Sequence, residues 1–365
     1  MQKLKFINSG NSNFFATLKA RVDEYFITTN KSKHANSRMI VKTVFFLTAF
    51  IFLYTTIILD FLPLYGQLIL AILLGMTMAF IGFNICHDAL HGAYSSNKKI
   101  NTSLGFIFNI IGANPYVWGI THNIVHHTYT NIPGHDEDIE IAPGLLRISK
   151  DEKLCSFQRY QQFYGFFLYS LASLSWFFRK DYVKFFQKKV GNYSTKHPRK
   201  EYFNLFFYKL VYYSLFIVLP LVVLDIIWWQ FLIGYILMNL AMGLVLGLVF
   251  QLAHVVEQTS FPDPGNDGNI AEAWACHQMK TTANFSRNSA LANFLCGGLN
   301  LQVEHHLFPK VCHIHYHAIS KIVKATALEF NLPYLENKTF FSALQSHYQL
   351  LKKMGREEKL SVAIS

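Results

Sequence analysis

Charge is scarce in this chain of 365 residues. Only 15% of the residues are Asp, Glu, Lys or Arg, whereas 52% are hydrophobic and 16% are aromatic. A typical soluble domain carries about 25% charged residues. The scarcity excludes an ordinary soluble protein, and the positive mean hydropathy of +0.21 predicts a membrane protein instead.

Paired cysteines are missing too. The five cysteines form no CxxC pair and show no spacing typical of a disulfide framework. They are Cys86, Cys155, Cys276, Cys296 and Cys312. This pattern argues against thiolate metal sites and is typical of a reducing compartment. A GxGxxG turn before a helix is also absent, so no dinucleotide site is predicted.

Long apolar runs, in contrast, are present, and four of them reach the roughly 20 residues that span a bilayer. The predicted spans are 40–62, 64–86, 203–224 and 226–249. Short turns at Pro63 and Asp225 join them into two hairpins. The apolar stretches 104–120 and 163–178 are shorter or interrupted, and we interpret them as interfacial or re-entrant helices.

Basic residues orient these spans. Neither hairpin turn contains Lys or Arg, whereas residues 179–209 contain nine. By the positive-inside rule, both termini and the long central and C-terminal segments are expected in the cytosol. The first 40 residues are basic and lack a secretory signal, which agrees with this orientation. We expect a multi-pass integral membrane protein of a bacterial plasma membrane.

The net charge of +11 requires no nucleic-acid partner. Membrane topology and contact with anionic lipid headgroups account for such an excess of Lys and Arg. Attraction of an acidic substrate or redox partner is the alternative. The sequence leaves both interpretations open.

Histidine is unusually frequent, with 16 residues. In "HDALH", His87 and His91 lie four residues apart, just beyond the predicted second span, and on a helix both rings point to one face. In "HNIVHH", His122 and His126 repeat this spacing. His127 is expected to project about 100° away on an α-helix. Both clusters therefore have chelating geometry.

A third cluster, "QVEHH", contains Gln302, His305 and His306. A single HxxxH pair is most often a solvated helix face, but three clusters on one predicted side of the membrane make that interpretation improbable. Seven histidines exceed the three or four protein ligands of one zinc site, so two metal ions are predicted. Imidazole binds Zn, Cu, Fe and Ni alike, so the ligands alone leave the ion open.

These three histidine boxes, HxxxH, HxxxHH and QxxHH, arranged around two hairpins, resemble those of the membrane-bound fatty acid desaturases. The resemblance covers about Met39 to Lys321. The Gln that opens the third box, within "GGLNLQVEHHLFP", is most similar to the front-end or acyl-lipid branch. In that branch the new double bond lies between an existing one and the carboxyl end.

The resemblance implies an all-α integral membrane protein. Four transmembrane helices in two hairpins would carry a cytosolic helical cap with a His-rich di-iron site. Two Fe ions, O2 and two electrons would then remove two hydrogens from an acyl chain. The domains expected are a basic cytosolic segment 1–39, a desaturase domain 40–321 and a cytosolic tail 322–365.

Further site residues follow from the same resemblance. His254, in "FQLAHVVE", corresponds to the region where related desaturases supply an extra iron ligand, with a core histidine as the alternative. His277 is expected to support the site or contact substrate rather than bind metal. Metal-bound histidines usually donate their second ring N–H to a carboxylate or carbonyl. Candidates for such support or for substrate contact are Gln302, Asp88, Asp138, Glu257, His277, Asn300, Glu304 and Trp274.

Many front-end desaturases carry a fused cytochrome b5 domain with a His-Pro-Gly-Gly motif, and this sequence departs from that pattern. Its electrons are therefore expected from an external carrier, ferredoxin or cytochrome b5 with its reductase. The substrate is expected to be a fatty acyl lipid or an acyl-CoA. Membrane lipids are expected as the other partners.

Aromatic residues near the boxes are candidate walls of an acyl tunnel, with core packing as the alternative. They are Tyr116, Trp118, Trp274 and Phe285. The alternating run "HIHYH", with His313, His315 and His317, would scatter its rings around a helix. We interpret it as an interfacial segment rather than a metal site.

Two other functions share parts of this pattern. A fatty acid or lipid hydroxylase or ketolase uses the same di-iron scaffold, and the number of histidines does not distinguish it from a desaturase. A metal transporter or zinc-dependent membrane hydrolase is a more distant alternative. A transporter should place charged residues or histidines near the midplane of its spans, yet 45–58 and 231–249 contain none.

Overall fold

The computed structural model describes residues 4–7, 13–150, 152–190, 193–194, 196–265 and 268–357. Its α-helices are α1 Phe14–Thr28, α2 Ser37–Ile58, α3 Leu64–Ile81, α4 His87–Leu90, α5 Lys98–Ile110, α6 Pro115–Trp118, α7 His127–Tyr129, α8 Gln161–Ser170, α9 Ala172–Ser175, α10 Asp181–Phe186, α11 Arg199–Tyr213, α12 Leu219–Val223, α13 Trp228–His254, α14 Trp274–Thr281, α15 Ala290–Leu295, α16 Gln302–Leu307, α17 Tyr316–Glu329 and α18 Phe340–Met354.

Short irregular elements complete the fold. The 3₁₀ turns are Ser156–Tyr160 and His313–His315. Strands β1 Lys189–Val190 and β2 Tyr193–Ser194 pair antiparallel, whereas β3 Asn284–Phe285 and β4 Glu336–Asn337 pair parallel. The described part of the molecule is therefore mostly helical, with two minimal sheets outside the spans.

Four helices in the described residues are long and apolar enough to cross a membrane, as the sequence predicts. They are Ser37–Ile58, Leu64–Leu90, Arg199–Val223 and Trp228–His254. The second was expected to end at Cys86 and the fourth at Val249. Both run further, so each carries its histidines on the continuing helix. This rigid attachment fixes His87 and His254 relative to the spans.

The second and fourth spans pack closely at the centre. Gly75 on α3 lies directly against the carbonyl oxygen of Met238 on α13, where a Cβ atom would collide. Gly243 on α13 lies in the same way against the carbonyl oxygen of Ser170 on α8. Small residues let helix backbones approach in this manner inside membranes. The α13 helix is thereby held between α3 and α8.

Within the described ranges, four helical segments are π-helical: Gly82–Cys86, Gly119–His126, Trp176–Lys180 and Ser214–Val218. The second of them contains most of the HxxxHH box, which the sequence analysis placed on an α-helix. The expected α-helix is instead a π-helix over Gly119–His126, in which i→i+5 hydrogen bonds widen each turn. Residues in π-segments often lie at functional sites, and three of these four border the same cavity.

The two interrupted apolar stretches differ in structure. Residues 104–120 are divided where Gly112 adopts a φ of +101° and the Asn114 side chain accepts hydrogen bonds from Tyr116 and Val117 at the start of α6. Residues 163–178 instead belong to a nearly continuous helical run from α8 to α10. The first break lets the second histidine box turn toward the first.

Candidate metal centre

The three histidine boxes converge in the structure. Ligand atoms of His87, His91, His122 and His305 all lie within 4.8 Å of one another. These four side chains come from the end of the second span, the second box and α16. One face of the cluster is thus supplied by a membrane span and the other by the cap.

A second group lies beside the first. It consists of His126, His254 and His306, whose ligand atoms also lie within 4.8 Å of one another. His127 forms a further group of the same size with His305 and His306, so it lies where the two groups meet. Eight histidines, His254 among them, therefore gather in overlapping groups around one buried space.

The rings present free nitrogens to this space. Buried ring nitrogens without a hydrogen-bond partner are Nδ1 and Nε2 of His87, Nε2 of His91, Nε2 of His122, Nε2 of His126, Nδ1 and Nε2 of His127, Nδ1 of His254, and Nε2 of His305. Leaving a buried polar atom unpaired costs about 1–3 kcal/mol. Metal coordination would satisfy these lone pairs, so the residues present fit a metal centre.

Burial keeps most of these rings neutral. It lowers the pKa of His91, His127, His305 and His306 well below the usual value, and the neighbouring imidazoles add to the shift. Only the neutral ring offers a lone pair to a metal. His126 differs, because burial lowers its pKa but the carboxylates of Asp136 and Asp138 together raise it above the usual value.

The outward ring nitrogens have defined partners. Nδ1 of His122 donates to Asp138 Oδ2 at 3.1 Å, and Nδ1 of His126 donates to Asp136 Oδ2 at 2.8 Å. These bonds leave Nε2 of each ring facing the cluster. Carboxylates in this position fix the ring tautomer and strengthen the ligand.

The third box is oriented similarly by neutral groups. Nδ1 of His306 donates to Gln278 Oε1 at 2.7 Å, and Nδ1 of His305 lies 3.2 Å from the Tyr316 hydroxyl. The side-chain amide of Gln302 lies 2.8 Å from Nε2 of His254. The opening Gln of the QxxHH box therefore connects α13 to α16.

Three other predicted supporting residues hydrogen-bond to backbone carbonyls rather than to histidine rings. Trp274 donates from Nε1 to the carbonyl of His127 at 2.9 Å, and His277 Nε2 donates to the carbonyl of Thr130 at 2.8 Å. Both hold the backbone of the second box. Asn300 donates to the carbonyl of Phe285 at 3.2 Å and holds the loop before the third box.

Glu304 does not support a histidine. Its carboxylate accepts from Asn284 Nδ2 at 2.8 Å and from the Tyr334 hydroxyl at 2.9 Å. Burial raises its pKa to about 7. The carboxylate is directed at Asn284 and Tyr334 rather than at the cluster, because successive residues of a helix project about 100° apart.

Glu257 does not support a histidine in the structure. It was expected beside a histidine, but its side chain is exposed, and its backbone N–H donates to Ser346 Oγ at 3.0 Å. No described histidine donates to it. Helix α13 ends at His254, and Val255, with φ −118° and ψ 69°, turns the chain away.

Asp88 and the "HIHYH" run form a third buried cluster. Asp88 Oδ2 accepts from Nδ1 of His313 at 2.8 Å, and Lys42 Nζ donates to Nε2 of the same ring at 3.0 Å. Every ring nitrogen of His313 is thus satisfied without a metal. His315 is also buried, so the interfacial interpretation of this run is corrected. The cluster ties α2 and α4 to the loop after the third box.

A largely apolar cavity reaches the metal centre. Its wall includes His87, His122 and Gln302. Apolar side chains that line it include Phe83, Phe108, Val117, Trp118, Leu246, Val249, Phe250 and Leu299. Trp118 stacks on the ring of His122 with centroids 4.4 Å apart. Of the predicted tunnel walls, Trp118 lines this cavity, whereas Tyr116, Trp274 and Phe285 are not among its lining residues.

Three ion pairs have at least one member in the wall of the same cavity. Lys180 donates to Asp138 at 2.8 Å, and Lys209 donates to Asp181 at 2.8 Å. Lys184 pairs with Glu137. Each cation along this edge is therefore matched by a carboxylate.

The chain matches the model of one protein family, described as fatty acid desaturase, over residues 63–338. The chain belongs to the fatty acid desaturase family. It is 36% identical to the sn-1 linoleoyl-lipid 6-desaturase of Synechocystis, over 97% of this chain and 98% of that protein. The acyl-lipid (8-3)-desaturase of Physcomitrium patens is 33% identical over 97% of this chain and 74% of the relative.

The comparison confirms the family and the enzyme class that the boxes predict. This desaturase is a helical membrane protein that acts on a fatty acyl chain, and its histidine groups are compatible with a metal site. A third relative, from Arthrospira platensis, is also named an sn-1 linoleoyl-lipid 6-desaturase, at 35% identity over 94% of this chain and 92% of the relative. The names favour desaturation over the hydroxylase, transporter and hydrolase alternatives.

Sequence reasoning missed three supporting residues of this desaturase: Asp136, Gln278 and Tyr316. Asp136 belongs to a run of acidic residues in which Asp138 was chosen. Gln278 and Tyr316 lie 28 and 11 residues from the histidines that they contact. Only the "HDED" run offered a signal, because the other contacts are made by tertiary folding.

Proposed function

We propose that the eight histidines hold two iron ions and that the enzyme uses O2 to insert a cis double bond into a lipid acyl chain. The ligands proposed are His87, His91, His122, His126, His127, His254, His305 and His306. The observation that carries the proposal is that seven of these rings, all except that of His306, have buried ring nitrogens without a partner, and that all eight lie in overlapping groups. When bound, iron supplies the redox chemistry that activates O2, which side chains alone lack.

The chain's own residues position the substrate and the ligands. The apolar cavity holds one C–C bond of the acyl chain beside His87 and His122 and excludes water from it. Asp138 keeps His122 in one tautomer, and Lys180 neutralises that carboxylate. An acyl chain offers no polar handle, so the shape of the cavity selects the bond that reacts.

We propose an acyl lipid, rather than an acyl-CoA, as the substrate, with front-end regiochemistry. The cations at the edge of the cavity are already paired with Asp138, Glu137 and Asp181, so they leave little positive charge for the phosphates of CoA. The names of the relatives, acyl-lipid and linoleoyl-lipid desaturases, support the same choice. The electrons come from a separate carrier such as ferredoxin or cytochrome b5 with its reductase.

We also propose the topology expected from the charge pattern. The metal centre and both termini lie on the cytosolic side of a bacterial plasma membrane, because the hairpin turns lack Lys and Arg. The segments 1–39 and 322–365 flank the catalytic domain on that side. Accessibility labelling of single cysteines placed at Asp60 and Lys196 in intact cells tests this orientation, since only the first should react.

Expression in a bacterium fed defined fatty acids tests the function. Lipids from cells with the wild-type chain should gain a new double bond, located by mass spectrometry, when O2 and a carrier are supplied. Cells with His126→Ala should gain none, because one ligand of the second group is lost. Hydroxylated lipids would transfer the assignment to a hydroxylase, and no oxidised product would contradict the proposal.

Replacing Asp136 by Asn is expected to lower activity about 10- to 100-fold, as for other groups that orient metal ligands. The carboxylate accepts from both Nδ1 of His126 and the backbone N–H of Asn131, and an amide accepts these bonds less strongly. Iron content per chain and turnover, measured on purified protein, check this. Glu257→Gln is the matched control, because Glu257 is exposed. Equal activities of the two variants would contradict the role of Asp136.

A further inference from the structure

Desaturation requires electrons that the substrate does not supply. Removing two hydrogens from an acyl chain releases two electrons and two protons, whereas reducing O2 to two waters consumes four electrons and four protons. Two electrons must therefore reach the metal centre from a donor, and two protons from water. The inference below rests on the proposed function, because it concerns where these electrons enter.

His91 is the most exposed of the eight histidines. The other seven are buried, with His127 the highest of them at 7% exposure, whereas His91 is partly exposed. The His91 ring lies 4.6 Å from that of His87 and 4.8 Å from that of His127, measured between centroids. Of the eight, His91 therefore brings the first histidine group nearest to the surface, and its ring also lies beside that of His127.

Three chain segments meet near His91. The backbone N–H of Ala35 donates to the carbonyl of Tyr94 at 2.9 Å, and the N–H of Cys312 donates to the carbonyl of Lys33 at 2.8 Å. These bonds join the segment before α2, the segment that follows His91, and the loop after the third box. They form one continuous surface beside the metal centre.

This surface is strongly positive. Its exposed cations are Lys31, Lys33, Arg38, Lys98, Lys99 and Lys310. The three segments belong to the stretches 25–59, 89–135 and 305–328. None of these stretches contains Asp or Glu. Lys33 forms an ion pair with Asp23 at 2.6 Å, and the other five cations form none within the described residues. We call these six residues the basic surface.

An exposed apolar residue also lies near His91. Asn123 donates from Nδ2 to the carbonyl of Leu90 at 3.0 Å, which places the second box against the first. The next residue, Ile124, is 42% exposed. A basic rim around a small apolar contact is typical of surfaces that bind a partner transiently, since charge guides the encounter while a few apolar atoms are buried.

We propose that the basic surface docks an acidic one-electron carrier protein, which delivers electrons at His91. Complementary charge accelerates such encounters and fixes their orientation. Anionic lipid headgroups are the competing occupant, because Arg38 lies in the first turn of α2. The position of the surface beside the partly exposed His91 favours the carrier, since a lipid headgroup needs no access to the metal centre.

Binding to protein in nanodiscs of phosphatidylcholine, a lipid without net charge, tests this proposal. The probes are a plant-type ferredoxin and the soluble domain of cytochrome b5, and their affinities are measured by biolayer interferometry. The double variant Lys98→Glu/Lys99→Glu should bind the preferred probe at least 10-fold more weakly at low salt. The difference should shrink in about 1 M salt, where the Debye length is about 3 Å.

The matched control is Lys352→Glu/Lys353→Glu, another adjacent lysine pair, on α18. It should leave the affinity unchanged, whereas equal weakening by both pairs, or by neither, would overturn the proposal. Loss of co-purifying phosphatidylglycerol with unchanged carrier affinity would assign the surface to lipid headgroups and overturn it as well. Turnover with dithionite and a small mediator is measured in parallel. Failure of the wild-type chain there would contradict the proposed function, and the binding result would still decide the surface.

Discussion

Replacing His254 by Ala is expected to lower the iron content from two ions to one per chain and to reduce turnover by more than about 100-fold. His254 lies at the end of the fourth span, outside the three boxes, and its ring joins those of His126 and His306. Its Nδ1 is buried without a partner. The group would keep only two histidines after the substitution, which is fewer than a stable site uses.

Metal analysis of purified protein and the yield of unsaturated lipid check this expectation. The control is His317→Ala, which removes an exposed imidazole that hydrogen-bonds to the carbonyl of Arg287. It should leave both values unchanged. Two tightly bound iron ions in the His254→Ala protein would show that His254 is a core histidine, the alternative that its sequence position left open.

Local spacing explains why the boxes were visible in the sequence. His87 and His91, or His305 and His306, are neighbours on one short helix, so their proximity follows from helical geometry alone. The long apolar runs likewise announce the four spans, because no other element needs about 20 apolar residues. Features encoded within one element were therefore predictable.

Contacts between distant segments were not predictable in this way. Glu257 follows His254 by three residues, yet the chain turns at Val255 and leaves its side chain exposed. Asp88 lies beside His87, yet it binds His313, 225 residues away. Adjacency in sequence was a poor guide to which carboxylate supports which ring, because that choice depends on the packing of separate helices.

The π-helical turns were hidden for a different reason. Residues 119–126 have an apolar pattern that an α-helix accommodates equally well, so periodicity did not reveal the wider turn. The wider turn lets His122 and His127, five residues apart, bring their ring centroids to 4.9 Å. An α-helix would separate these two rings by more than a full turn. The geometry of the second box therefore became clear only from the structure.

Another π-segment forms part of the cavity wall, and replacing its first residue, Gly82, by Leu is expected to change substrate length. Gly82 borders the cavity within the second span, and a Cβ atom there would lie 3.9 Å from Phe108 and 4.0 Å from Ile111. These are ordinary contacts, so the backbone tolerates a side chain, but the remaining atoms of Leu would occupy space that an acyl chain needs.

The ratio of 18-carbon to 16-carbon products should fall at least about 10-fold, since one or two methylenes in an apolar pocket are worth that much discrimination. Lipid profiles of cells fed both acids in equal amounts measure it, and a ratio is insensitive to the amount of protein expressed. Gly82→Ala should give a smaller shift in the same direction. Gly234→Leu, on α13 at a cavity between the two hairpins, is the control and should give none. An unchanged ratio in Gly82→Leu would show that the acyl chain does not pass this part of the wall, and the cavity would then not be the one that selects chain length.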